Sequence, residues 1–118
     1  MTMRKYNLSD EKKYYKLVRD KIPEIIENDG GIPFVRVLDD KKFKLELERK
    51  LFEEYNEVLE TSSSEERLEE LADMLEVIST LSSLENSNLE TVISIMEEKR
   101  RKRGGFSKKL FLEKTISK

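Results

Sequence analysis

The sequence predicts an all-α fold: a helical bundle around a central antiparallel helical hairpin. Three observations carry that expectation. Apolar residues recur at helical spacing in stretches of 15 to 20 residues. Capping and turn residues divide these stretches into four helical pieces. Charged residues make up 41% of the chain against 36% apolar, so only residues gathered into stripes can form a core.

The elements follow in order. Residues 1–13 are polar and read as a loose arm. Asp20 is placed to cap a short helix near residues 21–28, with Pro23 in its first turn and Gly30 and Gly31 ending it. Phe34, Val35 and Val37 favour an extended segment. A second alternating stretch lies near the C-terminus, so residues 34–38 and 109–114 could pair as a small two-stranded β element. Asp39 or Asp40 caps a long helix to about Leu59. Thr61 to Ser64 forms a turn, and Ser63 with Glu66 makes a capping box for a helix to about Leu84. Ser87 with Glu90 repeats that signal before a helix from about Asn88 to Arg101, which Gly104 and Gly105 stop.

Composition narrows the chemistry. With 118 residues the chain reads as one domain over 1–118, and so small a core favours a homo-oligomer. The net charge of −2 announces no nucleic-acid or membrane partner. There is no Cys and no His, which removes thiolate chemistry and the commonest general base. Carboxylates, lysines, arginines, hydroxyls and a hard, oxygen-bound metal remain. No apolar run reaches membrane-spanning length and the N-terminus has no signal-peptide core, so a cytoplasmic protein is expected.

Several acids sit where helical geometry places core residues. On the long helix Phe43, Leu47, Leu51, Tyr55 and Val58 form a stripe. Glu54 falls about 40° from its centre, Glu57 lies on its border and Glu53 points outside. The next helix carries Leu68, Leu71, Ala72, Leu75 and Ile78 on one face, and Met74, Val77, Leu81 and Leu84 on the other. Glu70 and Asp73, spaced i and i+3, begin that second face. A short turn makes the helices antiparallel neighbours, so Glu54, Glu57, Glu70 and Asp73 can converge. Such a cluster needs protons, basic partners or a cation. Magnesium, or manganese in its place, suits oxygen ligands.

Three stretches together resemble one family. "EEYNE" (53–57) followed by "EELAD" (69–73) is similar to the E-x-x-E…E-x-x-D signature of the all-α nucleoside triphosphate pyrophosphohydrolases. "KLVRDKIPEII" (16–26) and "KRGGFSKKLFLEK" (102–114) resemble the two ends of small MazG-like, phosphoribosyl-ATP-pyrophosphohydrolase-like members. The resemblance implies a magnesium-dependent helical enzyme that cleaves a nucleotide between its α- and β-phosphates, releasing a monophosphate and pyrophosphate. It implies Glu54, Glu57, Glu70 and Asp73 as metal ligands, with Glu53 or Glu54 as the acid that activates water. It also implies a homodimer or homotetramer.

The departing pyrophosphate requires positive charge. Lys16, Arg19 and Lys21 in the N-terminal block, and Lys99, Arg101 and Arg103 at the end of the last helix, are the expected phosphate-binding groups. Cations at a helix C-terminus also complement its dipole without any ligand. Two rival expectations stand beside this one. The first is phosphoribosyl-ATP hydrolysis in histidine biosynthesis. The second is a non-enzymatic helical interaction module, for which the short basic run with no interleaved aromatics argues little nucleic-acid affinity.

Overall fold

The structure is a computed structural model, and it describes residues 11–118; most of the loose arm expected over 1–13 lies outside them. The fold is all-α, of the helical-bundle class, with four helices: α1 (Ile22–Asn28), α2 (Asp40–Leu59), α3 (Ser64–Leu84) and α4 (Leu89–Arg103). The chain divides into two compact units after Val77, and α3 runs through the division.

In the first unit, α1 starts without the expected side-chain cap. Its N-cap position is Lys21, not Asp20, and the first turn is closed by the Ile22 N–H donating to the Arg19 carbonyl at 3.0 Å. Proline at the start needs no donor partner, which makes a side-chain cap dispensable. Gly30, at φ 89°, lets the chain leave α1 through the left-handed region. α2 opens on Asp39, whose carboxylate accepts from the Lys42 N–H at 2.8 Å.

The turn from α2 to α3 is fastened at both ends. Arg67 donates to the Val58 carbonyl at 3.1 Å and Thr61 donates to the same oxygen at 2.9 Å, satisfying an acceptor that the end of α2 leaves open. Ser63 accepts from the Glu66 N–H at 3.1 Å, the forward half of the expected capping box. The return half lands one residue earlier: the Glu66 carboxylate accepts from the N–H and hydroxyl of Ser62 at 3.1 and 3.0 Å. Carboxylates on both arms come within 4.8 Å of one another, so α2 and α3 form the antiparallel hairpin foreseen from their short connection.

Burial corrects the helical wheel of α2. Tyr55, placed on the core stripe by sequence, is 46% exposed, while Leu47, Glu54 and Val58 are the buried positions of this helix. Their i, i+7, i+11 spacing is itself a core stripe, and Glu54 is its middle member. On α3 the face of Leu68, Leu71 and Leu75 is exposed, and the face of Glu70, Asp73, Met74 and Val77 is turned inward. Leu47, Val58 and Val77 are the buried apolar residues among those described.

In the second unit, Asn86 at φ 54° ends the helical path of α3, and the Ser87 N–H returns to the Ser82 carbonyl at 3.1 Å. α4 is capped by Asn88, whose side chain accepts from the Thr91 N–H at 2.9 Å; Ser87, the expected cap, lies one residue too early. Gly104 at φ 82° stops α4 two residues beyond the expected end.

No strand forms among the described residues, so the β element from 34–38 and 109–114 is absent. Lys109 stands at φ 57° and its N–H donates to the Phe106 carbonyl at 3.1 Å. A left-handed turn at 106–109 is incompatible with starting a ladder there.

If Asn88 rather than Ser87 caps α4, Asn88→Ala lowers stability by about 1 kcal/mol in urea denaturation, and Ser87→Ala leaves the midpoint within error. The reverse pattern would reject this assignment.

Candidate metal centre

The centre is built by the hairpin. Glu54 and Glu57 are three residues apart near the C-terminal end of α2, and Glu70 lies in the second turn of α3. The antiparallel arms bring one carboxylate oxygen from each of the three within 4.8 Å of the others. Their burial is graded: Glu54 is 5% exposed, and Glu57 and Glu70 are half-buried.

The polar bookkeeping of this cluster is incomplete. Glu54 has one oxygen 3.5 Å from the Lys50 ammonium, but its Oε2 is buried without a hydrogen-bond partner among the described residues. Glu70 Oε2 is buried and unpartnered too. Buried polar atoms are almost always satisfied, and leaving one unsatisfied costs about 1–3 kcal/mol, more for a charged group. Two such oxygens on facing helices could be answered by a proton or by a cation.

Protonation is the cluster's answer when no cation is there. Burial, then the charge of Glu57, raises the Glu54 carboxyl, with Lys50 opposing. The Glu70 carboxyl is pushed up to about 7, first by loss of water around it, then by a hydrogen bond to Glu57 and by the charges of Glu57, Asp73 and Glu54. A proton shared between carboxyls relieves the repulsion that these neighbouring negative charges would otherwise feel.

The donor set fits a small hard cation. All three are carboxylate oxygens, and octahedral ligands about 2.1 Å from magnesium are separated by about 3–4 Å. The three oxygens, within 4.8 Å of one another, would have to draw closer to share one such ion.

Asp73 stands apart from the triad. Its Oδ1 accepts from Arg19 at 2.7 Å, while its charge is still felt at Glu54 and Glu70. Glu53 lies 3.4 Å from Lys16 and 3.5 Å from Lys50. Two of the expected phosphate-binding cations, Lys16 and Arg19, are thus drawn to acids beside the triad, and Lys21 is an exposed helix N-cap. Lys50 escaped the reading of the sequence. Its signal was present: it precedes Glu53 and Glu54 by three and four residues, the spacing of helical ion pairs.

Lys99, Arg101 and Arg103 belong to α4 in the second unit. Arg101 grips Glu98 with two donors. Lys99 and Arg103 border an open hollow of about 430 Å³ along α4, together with Ser94 and Glu98. That hollow follows the flank of one helix and gathers no carboxylate cluster, so the centre is assigned to the hairpin. The chain matches no family model, no curated protein and no solved structure.

The metal-free protein has a defined response to pH. An unfolded glutamate loses its proton near 4.5, and folded Glu70 keeps its own to about 7. Between those values the folded state binds the extra proton, so its contribution to stability is full below about pH 4.5 and is lost as pH rises through about 7. Read as the difference between wild type and Glu70→Gln, the melting temperature should fall from about pH 5 to about pH 8. Magnesium requires unprotonated oxygens, so the stabilisation it gives should grow over the same range. Scanning fluorimetry at several pH values, with and without magnesium, checks both slopes. Two flat profiles would refute the arrangement.

Proposed function

We propose that the chain is a magnesium-dependent nucleotide pyrophosphohydrolase of the MazG-like, all-α type. It would hydrolyse a nucleoside triphosphate or related nucleotide between the α- and β-phosphates, in a housekeeping role on the nucleotide pool. One observation carries the reading: three carboxylates on facing hairpin arms lie within 4.8 Å, and the buried member presents an oxygen with no partner. The resemblance of three sequence blocks supports the choice of reaction.

In this reading Glu54, Glu57 and Glu70 hold magnesium, with Asp73 as the fourth acid once Arg19 releases it. A bound magnesium ion supplies charge to neutralise phosphate and to acidify a water. The protein's own groups do the rest. Glu53 stands outside the triad, and its ion pairs with Lys16 and Lys50 fix the carboxylate in place, which suits it to orient the attacking water. Glu54 is the alternative, already buried beside that place. Lys16, Arg19 and Lys21 are the cations for the polyphosphate; the first two can exchange a carboxylate for a phosphate oxygen as the nucleotide arrives. Water loss around Glu54 strengthens the interactions that Glu54 itself makes.

A homodimer or homotetramer belongs to the same reading, supported by the three buried apolar residues among those described against many large exposed ones. Among the described residues no helix is long and apolar enough to cross a membrane.

Pyrophosphate release from a panel of nucleotides is the test. Activity should require magnesium and vanish with a chelator. Glu54→Gln, Glu57→Gln, Glu70→Gln and Asp73→Asn should each lower kcat by about 100-fold or more with unchanged circular dichroism. Retained turnover in all four rejects the site, and no release from any nucleotide favours an interaction module. Turnover of phosphoribosyl-ATP far above every nucleoside triphosphate would move the role to histidine biosynthesis. If Lys99, Arg101 and Arg103 contact phosphate, their alanine variants raise KM more than they lower kcat.

A further inference from the structure

Three cations stand against the acids of the hairpin, and they differ in how openly they are held. The Lys50 side chain is the most covered, 21% exposed and 3.5 Å from both Glu53 and Glu54. Lys16 lies 3.4 Å from Glu53 and is 42% exposed. Arg19 makes the shortest of these contacts, 2.7 Å to Asp73, and is the most exposed at 58%. Its charge is engaged, and a ligand arriving from solvent can still reach it.

The Arg19 backbone is fixed without that pair. Its carbonyl accepts from the Ile22 N–H at 3.0 Å in the first turn of α1. The half-buried Leu17 and the Lys16–Glu53 pair hold the segment before α1 with no help from the Arg19 side chain. The guanidinium is therefore a long arm on a fixed base, free to change partner while the fold stays put.

One bond joins the pair, from Arg19 Nη2 to Asp73 Oδ1. Asp73 lies three residues beyond Glu70 on α3, and its charge reaches both Glu54 and Glu70. It stands beside the triad with one oxygen committed elsewhere. Drawing that oxygen toward a metal requires breaking its bond to Arg19. A phosphate group can offer the guanidinium two parallel bonds where Asp73 supplies one.

We propose that Arg19 is a positioning residue that couples the two ligands of the centre: it holds Asp73 aside until a phosphate oxygen takes the guanidinium, and Asp73 then turns to the magnesium held by Glu54, Glu57 and Glu70. This rests on the pyrophosphohydrolase reading and adds an order of assembly to it. Metal and nucleotide each bind better when the other is present, beyond the attraction between them in solution. The pair sets the size of the effect. A partly exposed ion pair is weak, so releasing it changes either affinity by about fivefold.

Substitutions at both ends of the pair test this without turnover. Manganese affinity of the full chain, read by electron paramagnetic resonance with no nucleotide, is compared in wild type, Arg19→Met, Asp73→Asn and the double variant. Asp73→Asn should cost about twofold in the wild type, where Asp73 must first be freed, and about tenfold alongside Arg19→Met, where it is free already. Inorganic pyrophosphate, titrated by calorimetry without metal, supplies the mirror measurement. Asp73→Asn frees Arg19 and should raise that affinity about fivefold, and the gain should disappear in the double variant. An equal manganese penalty in both backgrounds overturns the proposal. So does pyrophosphate that fails to bind Asp73→Asn more tightly, or a gain that survives the loss of Arg19. Manganese affinity that Glu54→Gln leaves unchanged is a different failure: it removes the metal centre itself, and this coupling with it.

Discussion

The placement of Glu54 between Leu47 and Val58 on the buried side of α2 governs much of this protein. A carboxylate at a core position cannot be left alone, because an isolated buried charge costs more than a small core can return. Lys50 answers one of its oxygens, and among the described residues nothing answers the other. Glu57 and Glu70 then add negative charge instead of relieving it. The core of the hairpin therefore carries a carboxylate cluster at some expense to its own stability.

The features around that carboxylate serve to hold the two helix arms in register. Arg67 and Thr61 tie the start of α3 and the turn to the Val58 carbonyl, one helical turn beyond Glu54. Ser62, Ser63 and Glu66 close the other side of the turn. Each bond is modest, of order 1 kcal/mol, but together they limit sliding between Glu57 and Glu70. The cations Lys16, Arg19 and Lys50 surround the acids without completing them. The pairs made by Lys16 and Arg19 are partly exposed and weak.

Opposite demands act at the surface. Few apolar side chains are buried, and long stretches of the second unit present aromatic and aliphatic groups to solvent beside many lysines. Charge of one sign keeps such a segment soluble, while apolar content makes it a poor permanent surface.

Much of this was fixed by sequence alone. Four helices, the Asp39 cap, the Ser63 cap and the glycine stops are local matters, settled within a few residues by backbone donors and allowed φ values. The acids of the centre were also legible, because i and i+3 spacing on helices joined by a short turn leaves few places for them to point. Tertiary structure decided the rest. Tyr55 gave up its core position to Glu54, since which edge of a broad stripe faces inward depends on the neighbouring helix. The strand at 109–114 gave way to a turn, since a strand exists only by pairing with another segment. Asp73 paired with Arg19, and Glu53 with Lys16 and Lys50, because ion-pair partners distant in sequence are chosen by where folding brings the chain, and spacing within one helix cannot foretell that.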